Sequence, residues 1–372
     1  MFSGLGIDTR YMTKYSYGYV SQNHTVITED GYKLNLIRVP KKGLPVLLVH
    51  GIGDSSDSWL VLGPPNSLAY QLSELDFDVW IYNARGNKYS KGHVRNISDR
   101  QYWNFSFEEM GTQDLPAVID FILSTTSSPQ LSYVGFSQGT TIFFVLCSTR
   151  PEYNAKIKQA VLLAPITTIK GAQHPLIGIL TQNLDFVANV FDTIGVYDIF
   201  ANNALLNLYH AKVCRDGVPE NILCQLEYML NFGINDLNKL FTSRLPILAS
   251  HMPAGVSTKT FIHYFQSYVM EKFLRFDYGP TRNLVTYGSP QPPKFDLSLV
   301  SAPVNLFVSD TDRFSRLNNV EEILKELPNV VGYNVLNKSL DFTHLEFVYG
   351  SRTKKLINDP VIRSLSNSFT FR

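Results

Sequence analysis

The sequence predicts an α/β protein: a mostly parallel, doubly wound sheet with an inserted, mainly helical cap. Three observations predict it. Between 46 and 165, short Val- and Leu-rich runs alternate with segments of helical spacing. From about 166 to about 295 the alternation lapses into apolar, helix-like sequence broken by Gly and Pro, and after 302 it resumes. A pentapeptide, Gly135-Phe136-Ser137-Gln138-Gly139, stands between a strand-like run and a buried run. The implied division is 1–166 for the first part of the core, 167–295 for the cap and 296–372 for the second part of the core.

Taken in order, runs 25–28 and 33–39 flank Glu29-Asp30-Gly31-Tyr32, and Asp-Gly between alternating runs predicts a hairpin. Residues 45–49 form a continuous Val and Leu run, the pattern of a strand covered on both faces. An amphipathic helix is expected over 68–75, a strand over 78–83, a helix over 107–123 and a strand over 131–136. The run 140–146 is so apolar that it packs only as a buried helix or a second strand. Strands are expected again at 160–165, 302–308 and 330–335, with a helix over 320–327.

Composition narrows the function classes. Hydrophobic residues make up 44% of the 372 and charged residues 17%, enough apolar material for a large core. A net charge of +1 gives no footprint for nucleic acid. No run reaches the roughly 18–20 apolar residues of a membrane span. The first residues, Met1 to Asp8, lack the basic and apolar regions of a signal peptide, which leaves a mature, truncated or intracellular form. Cys147, Cys214 and Cys224 make neither a disulfide scaffold nor a metal cluster, so no metal or cofactor is expected. Cys214 and Cys224 would close a short loop in an oxidising compartment. Asn-x-Ser/Thr sequons at Asn23, Asn96, Asn104 and Asn337 are candidate glycosylation sites.

The chemistry starts at Ser137. A Gly-x-Ser-x-Gly between strand and helix is the nucleophile elbow of an α/β-hydrolase, where glycines two residues either side of the serine let a tight, strained turn form. That fold presents its triad in the chain order Ser, acid, His, with acid and base on loops after the last strands. This chain offers Ser137, then Asp310 or Asp312, then His344. Of the eight histidines only His344 follows the last strand. Asp312 is preferred because the post-strand turn of this fold commonly reads Gly-x-x-Asp, which Ser309-Asp310-Thr311-Asp312 fits with Ser309 in the glycine's place. The strand 45–49 runs into His50-Gly51-Ile52-Gly53, where the fold takes half of its oxyanion hole. The backbone N–H groups of Ile52 and Gln138 are the expected donors.

The chain resembles the acid lipase family, the gastric and lysosomal acid lipases and their insect relatives. The likeness rests on Thr28-Glu29-Asp30-Gly31-Tyr32, Leu48-Val49-His50-Gly51, Asn83-Ala84-Arg85-Gly86-Asn87, Tyr102-Trp103-Asn104-Phe105-Ser106-Phe107, Asp114-Leu115-Pro116-Ala117, Gly135 to Gly139, and His344-Leu345-Glu346-Phe347. The resemblance implies Ser137, Asp312 and His344 as the triad, Ile52 and Gln138 as oxyanion donors, and a Cys214–Cys224 disulfide in the cap. It also implies a secreted or lysosomal enzyme that hydrolyses lipid esters at a lipid–water interface under a mobile cap. Two departures stand out: Phe136 replaces the family's usual His before the serine, and Ile52 its usual Leu. Triacylglycerols are the expected substrates. The alternatives are a sterol esterase or soluble carboxylesterase, and a catalytically silent lipid carrier that keeps the fold without the chemistry.

Overall fold

The computed structural model describes residues 17–199, 201, 204–214, 223, 224, 226, 239, 240 and 245–367. Of the expected cap, residues 200, 202, 203, 215–222, 225, 227–238 and 241–244 lie outside the described residues. The strands in chain order are β1 (Gln22–Ile27), β2 (Tyr32–Val39), β3 (Pro45–Val49), β4 (Asp78–Tyr82), β5 (Gly92–His93), β6 (Leu131–Phe136), β7 (Ile157–Leu163), β8 (Asp198–Ile199), β9 (Val256–Ser257), β10 (Val304–Ser309) and β11 (Val330–Leu336). The main sheet runs β1-β2-β4-β3-β6-β7-β10-β11, with β5 paired to β2. The β1–β2 hairpin and the β2–β4 pairing are antiparallel, whereas every pairing from β4 across to β11 is parallel.

The central strands β3, β4 and β6 are buried along their whole length because helices cover both faces, whereas the edge strand β11 is partly exposed. Alternate side chains serve opposite cores. Leu47, Val49, Trp80, Tyr82, Tyr133 and Leu162 belong to one buried cluster; Val46, Leu48, Val79, Ile81, Val134 and Val161 belong to the other. Full burial of each such side chain contributes on the order of 1.5–3 kcal/mol. The first core is completed by α2 (Leu115–Thr126) and α3 (Gln138–Thr149), and the second by α1 (Leu68–Glu74) and the carboxyl-terminal α10 (Asp359–Asn367).

The ambiguous apolar run 140–146 lies within α3 and is buried on all sides. The helix expected over 107–123 is interrupted by a π-turn at Met110–Asp114. A Cβ on Gly111 would lie 2.6 Å from Val145 of α3, so the two helices touch backbone to side chain at the turn. Apolar periodicity does not report such a bulge.

Between β7 and β10 the regular structure of the described residues is mainly helical. It contains α4 (Pro175–Leu180), α5 (Leu184–Thr193), α6 (Ala204–Val213), α7 (Leu245–His251) and α8 (Thr258–Met270). A two-stranded antiparallel sheet, β8 with β9, also lies here. α8 is fastened to the core: the Tyr264 hydroxyl donates to Thr141 Oγ1 at 3.0 Å, and His263 stacks on Phe107 at 3.8 Å. Arg275 and Lys259 pair with Glu108 and Glu109. In contrast, α4 and α5 turn Ile179 and Phe186 outward, 64% and 61% exposed. After β10, α9 (Leu317–Glu326) crosses back to β11.

Candidate active site

Ser137 stands at the junction of β6 and α3 with φ 52° and ψ −115°, a conformation costing about 1–3 kcal/mol for a residue with a side chain. Close packing imposes the strain. A Cβ on Gly139 would lie 2.5 Å from the Val49 carbonyl oxygen, and one on Gly135 would lie 2.8 Å from the Gly139 backbone. The Ser137 N–H donates to Leu163 O at 3.0 Å, and the Tyr133 hydroxyl donates to Gly139 O at 2.6 Å, which ties the turn to the neighbouring β7 and back to its own strand β6.

The loops after β10 and β11 bring two more side chains to the serine. His344 Nε2 lies 2.9 Å from Ser137 Oγ, and its Nδ1 lies 2.7 Å from Asp312 Oδ2. Asp312 uses its other oxygen to accept the backbone N–H groups of Phe314 and Ser315, at 2.8 and 3.0 Å. Both carboxylate oxygens are thereby occupied, which fixes its rotamer. Asp310, the alternative acid, is exposed and meets neither residue through its side chain among the contacts described. Sequence reasoning missed what holds the histidine loop. Ser309 Oγ and Thr311 Oγ1 both donate to Phe342 O, at 2.6 and 3.0 Å, and buried Glu346 accepts the Thr343 N–H at 2.7 Å. Phe136 and Phe314 flank the His344 ring, with centroids at 5.0 and 5.3 Å. Only Ser309, in its glycine-like place, gave a hint of this in the sequence.

The His50-Gly51-Ile52-Gly53 turn lies against the elbow: a Cβ on Gly51 would sit 3.3 Å from Ser137 Cβ. His50 is not an onlooker. Its Nε2 accepts the Ala84 N–H at 3.1 Å, so Nδ1 carries the proton and donates to Gly51 O at 2.8 Å. Burial lowers its pKa to about 4, which keeps the ring neutral and this tautomer stable. The Gly51 carbonyl and the Ile52 N–H share one planar peptide unit and point in opposite directions. Holding the carbonyl therefore aims the N–H. Gln138 is the first residue of α3, where backbone N–H groups lack intrahelical acceptors and suit a developing negative charge.

Next to this turn, Asp54 is fully buried and accepts hydrogen bonds from the Tyr349 hydroxyl and the Ser55 N–H. Burial pushes its carboxyl up to about 7. The folded chain therefore holds a proton that the unfolded chain releases between the ordinary carboxyl value of about 4 and pH 7. Asp54 thus favours the folded state most at acid pH, and that contribution is lost as pH rises to 7. His263, lowered by burial to about 3, has the opposite sign and loses its contribution as pH falls below about 6.5. Comparing urea midpoints of the parent and Asp54→Asn isolates the first effect. From pH 4 to 7 the parent should lose stability relative to the variant, and a constant difference would contradict the assignment.

The Cys214–Cys224 disulfide is formed, with Cα atoms 5.2 Å apart, and Cys147 is free and buried. Asn23, Asn96, Asn104 and Asn337 are all exposed; Asn337 also caps a short turn by accepting the Ser339 N–H at 3.0 Å.

The family model for the alpha/beta hydrolase fold matches residues 45–347, and that for a partial alpha/beta-hydrolase lipase region matches 9–63. Lipase 1 of Drosophila melanogaster is 36% identical over 347 residues, covering 92% of this chain and 76% of the relative. The chain belongs to the lipases of the α/β-hydrolase family. This lipase is accordingly a carboxylic ester hydrolase. Human gastric triacylglycerol lipase is 33% identical to it over 363 residues, covering 94% of this chain and 89% of the relative. A Crotalus adamanteus protein provisionally described as lysosomal acid lipase/cholesteryl ester hydrolase is 33% identical over 344 residues, covering 90% and 84%. Among solved structures, a thermophilic esterase from Thermogutta terrifontis superposes with a TM-score of 0.51 at 15% identity, covering 94% of the lipase and all of the esterase chain. That likeness speaks to the fold alone.

Proposed function

We propose that the lipase hydrolyses triacylglycerols through an acyl-enzyme on Ser137. The observation that carries this reading is the unbroken chain of contacts from Ser137 Oγ to His344 Nε2 at 2.9 Å and from His344 Nδ1 to Asp312 at 2.7 Å. In this mechanism His344 takes the serine proton as Oγ attacks the ester carbonyl. The Ile52 and Gln138 N–H groups receive the negative charge that gathers on the carbonyl oxygen. The imidazolium, stabilised by Asp312, then protonates the departing alcohol. Water deprotonated by His344 releases the fatty acid and restores the serine. A silent carrier would have no use for these aligned contacts.

Residues 167–295 act as the cap. Ser137 and His344 are buried, 4% and 6% exposed, so a long acyl chain enters only when part of the cap moves. The outward apolar side chains of α4 and α5, Leu176, Ile179 and Phe186, with Ile194 just past the end of α5, are the surface offered to the lipid–water interface. No described helix is long and apolar enough to cross a membrane. The buried disulfide supports passage through an oxidising compartment, as in secreted or lysosomal enzymes.

Cholesteryl esters are the second reading, supported by the name of the Crotalus relative. Rates on emulsified triolein, cholesteryl oleate and a soluble butyrate ester separate the two. Triolein is expected to be hydrolysed fastest; activity confined to butyrate would reduce the assignment to a soluble carboxylesterase.

A further inference from the structure

The insertion returns to the core directly over the oxyanion turn. The Ala254 N–H donates to Gly53 O at 2.7 Å, and the Lys88 N–H donates to Ala254 O at 2.8 Å. A Cβ on Gly53 would lie 3.5 Å from Val256 Cγ2, so this limb packs against the turn itself. Behind it is a buried polar knot. The Asp57 carboxylate receives His251 Nδ1 at 2.6 Å, Lys88 Nζ at 2.5 Å and the Tyr89 hydroxyl at 2.9 Å. Lys88 Nζ also donates to the His251 carbonyl at 3.0 Å. Burial pushes the Asp57 carboxyl up, but the Lys88 ammonium and His251 outweigh it and hold the group well below the usual carboxylate range. His251 ends α7, 194 residues from Asp57 in the chain, and both are nearly inaccessible to water.

We propose that His251 is a positioning residue for ester hydrolysis: its bond to Asp57 latches the returning limb of the insertion onto the oxyanion turn and so aims the Ile52 N–H. The inference rests on the acyl-enzyme reading of Ser137. The turn is pinned at two carbonyls, Gly51 by His50 and Gly53 by Ala254. Gly53 has φ +70°, and glycine backbone rotates freely once released. Losing the second pin lets the Ile52 donor leave the narrow distance window in which it stabilises an oxyanion. An interaction made in the transition state is then lost, while ester binding is untouched.

The test measures kcat on a soluble butyrate ester per active site titrated with a phosphonate, which removes unfolded molecules and lipid docking from the readout. His251→Ala is expected to lower kcat about ten- to hundredfold with little change in KM. His251→Asn, whose amide N–H takes the place of Nδ1–H, restores most of the rate; His251→Gln, whose amide lies one carbon further out, does not. A His251→Ala enzyme with the parent kcat per titrated site would overturn the proposal. So would equal losses in the Asn and Gln variants that follow only their melting temperatures. Failure of the underlying reading looks different: the parent itself turns over no ester, and Ser137 takes no phosphonate.

Discussion

Ser137→Ala lowers kcat/KM for a soluble butyrate ester by a factor on the order of 10⁵–10⁶, the scale on which a serine hydrolase loses its nucleophile. The fold survives the change. The side chain contributes one hydrogen bond to His344, while the elbow is held by backbone contacts to Leu163 and by the packing of Gly135 and Gly139. The expected melting temperature is therefore close to the parent's. Emulsified triolein is expected to fall by a similar factor, because the side chains of α4 and α5 proposed to meet the interface are not those of the elbow. A variant that retains ester hydrolysis would remove Ser137 from the mechanism.

Asp312→Asn is the second large effect, about 10⁴ in kcat. The reason lies in the two backbone donors. Phe314 and Ser315 place N–H groups on Asp312 Oδ1, so an asparagine must put its carbonyl oxygen there. Its NH₂ then faces His344 Nδ1, which becomes an acceptor. The neutral ring must carry its proton on Nε2, where it cannot take the Ser137 proton. Asp310→Asn is the control, since that side chain is exposed, and it should leave the rate within about twofold, as is usual for surface substitutions. Equal losses in the two variants would mean that the acid has been misassigned.

Much of this arrangement is legible in the sequence because it depends on local pattern. β3, β4 and β6 are mostly apolar runs buried along their length, and the elbow and the His50-Gly51-Ile52-Gly53 turn are short motifs fixed by glycine geometry. The order Ser, Asp, His then follows from where strands end. What escapes is whatever depends on contacts distant in the chain. The π-turn at Met110–Asp114 reflects the closeness of Gly111 to Val145, which no periodicity encodes. β8 and β9 are two residues each and pair across the insertion, too short to show alternation. His50 looks from sequence like a residue stacked beside the turn, and its ring does stack on Tyr82 at 5.7 Å. Its bond to the Gly51 carbonyl appears only in three dimensions. Likewise nothing in the sequence pairs Asp57 with His251.

The most direct test of an acyl-enzyme on Ser137 is to quench a turning-over reaction with acid and map the adduct by peptide mass. With a soluble butyrate ester, a butyryl group is expected on the peptide containing Gly135 to Gly139, located on Ser137 and absent from Ser137→Ala. A butyryl group on another residue, or steady turnover with no covalent adduct and full activity in Ser137→Ala, would contradict it.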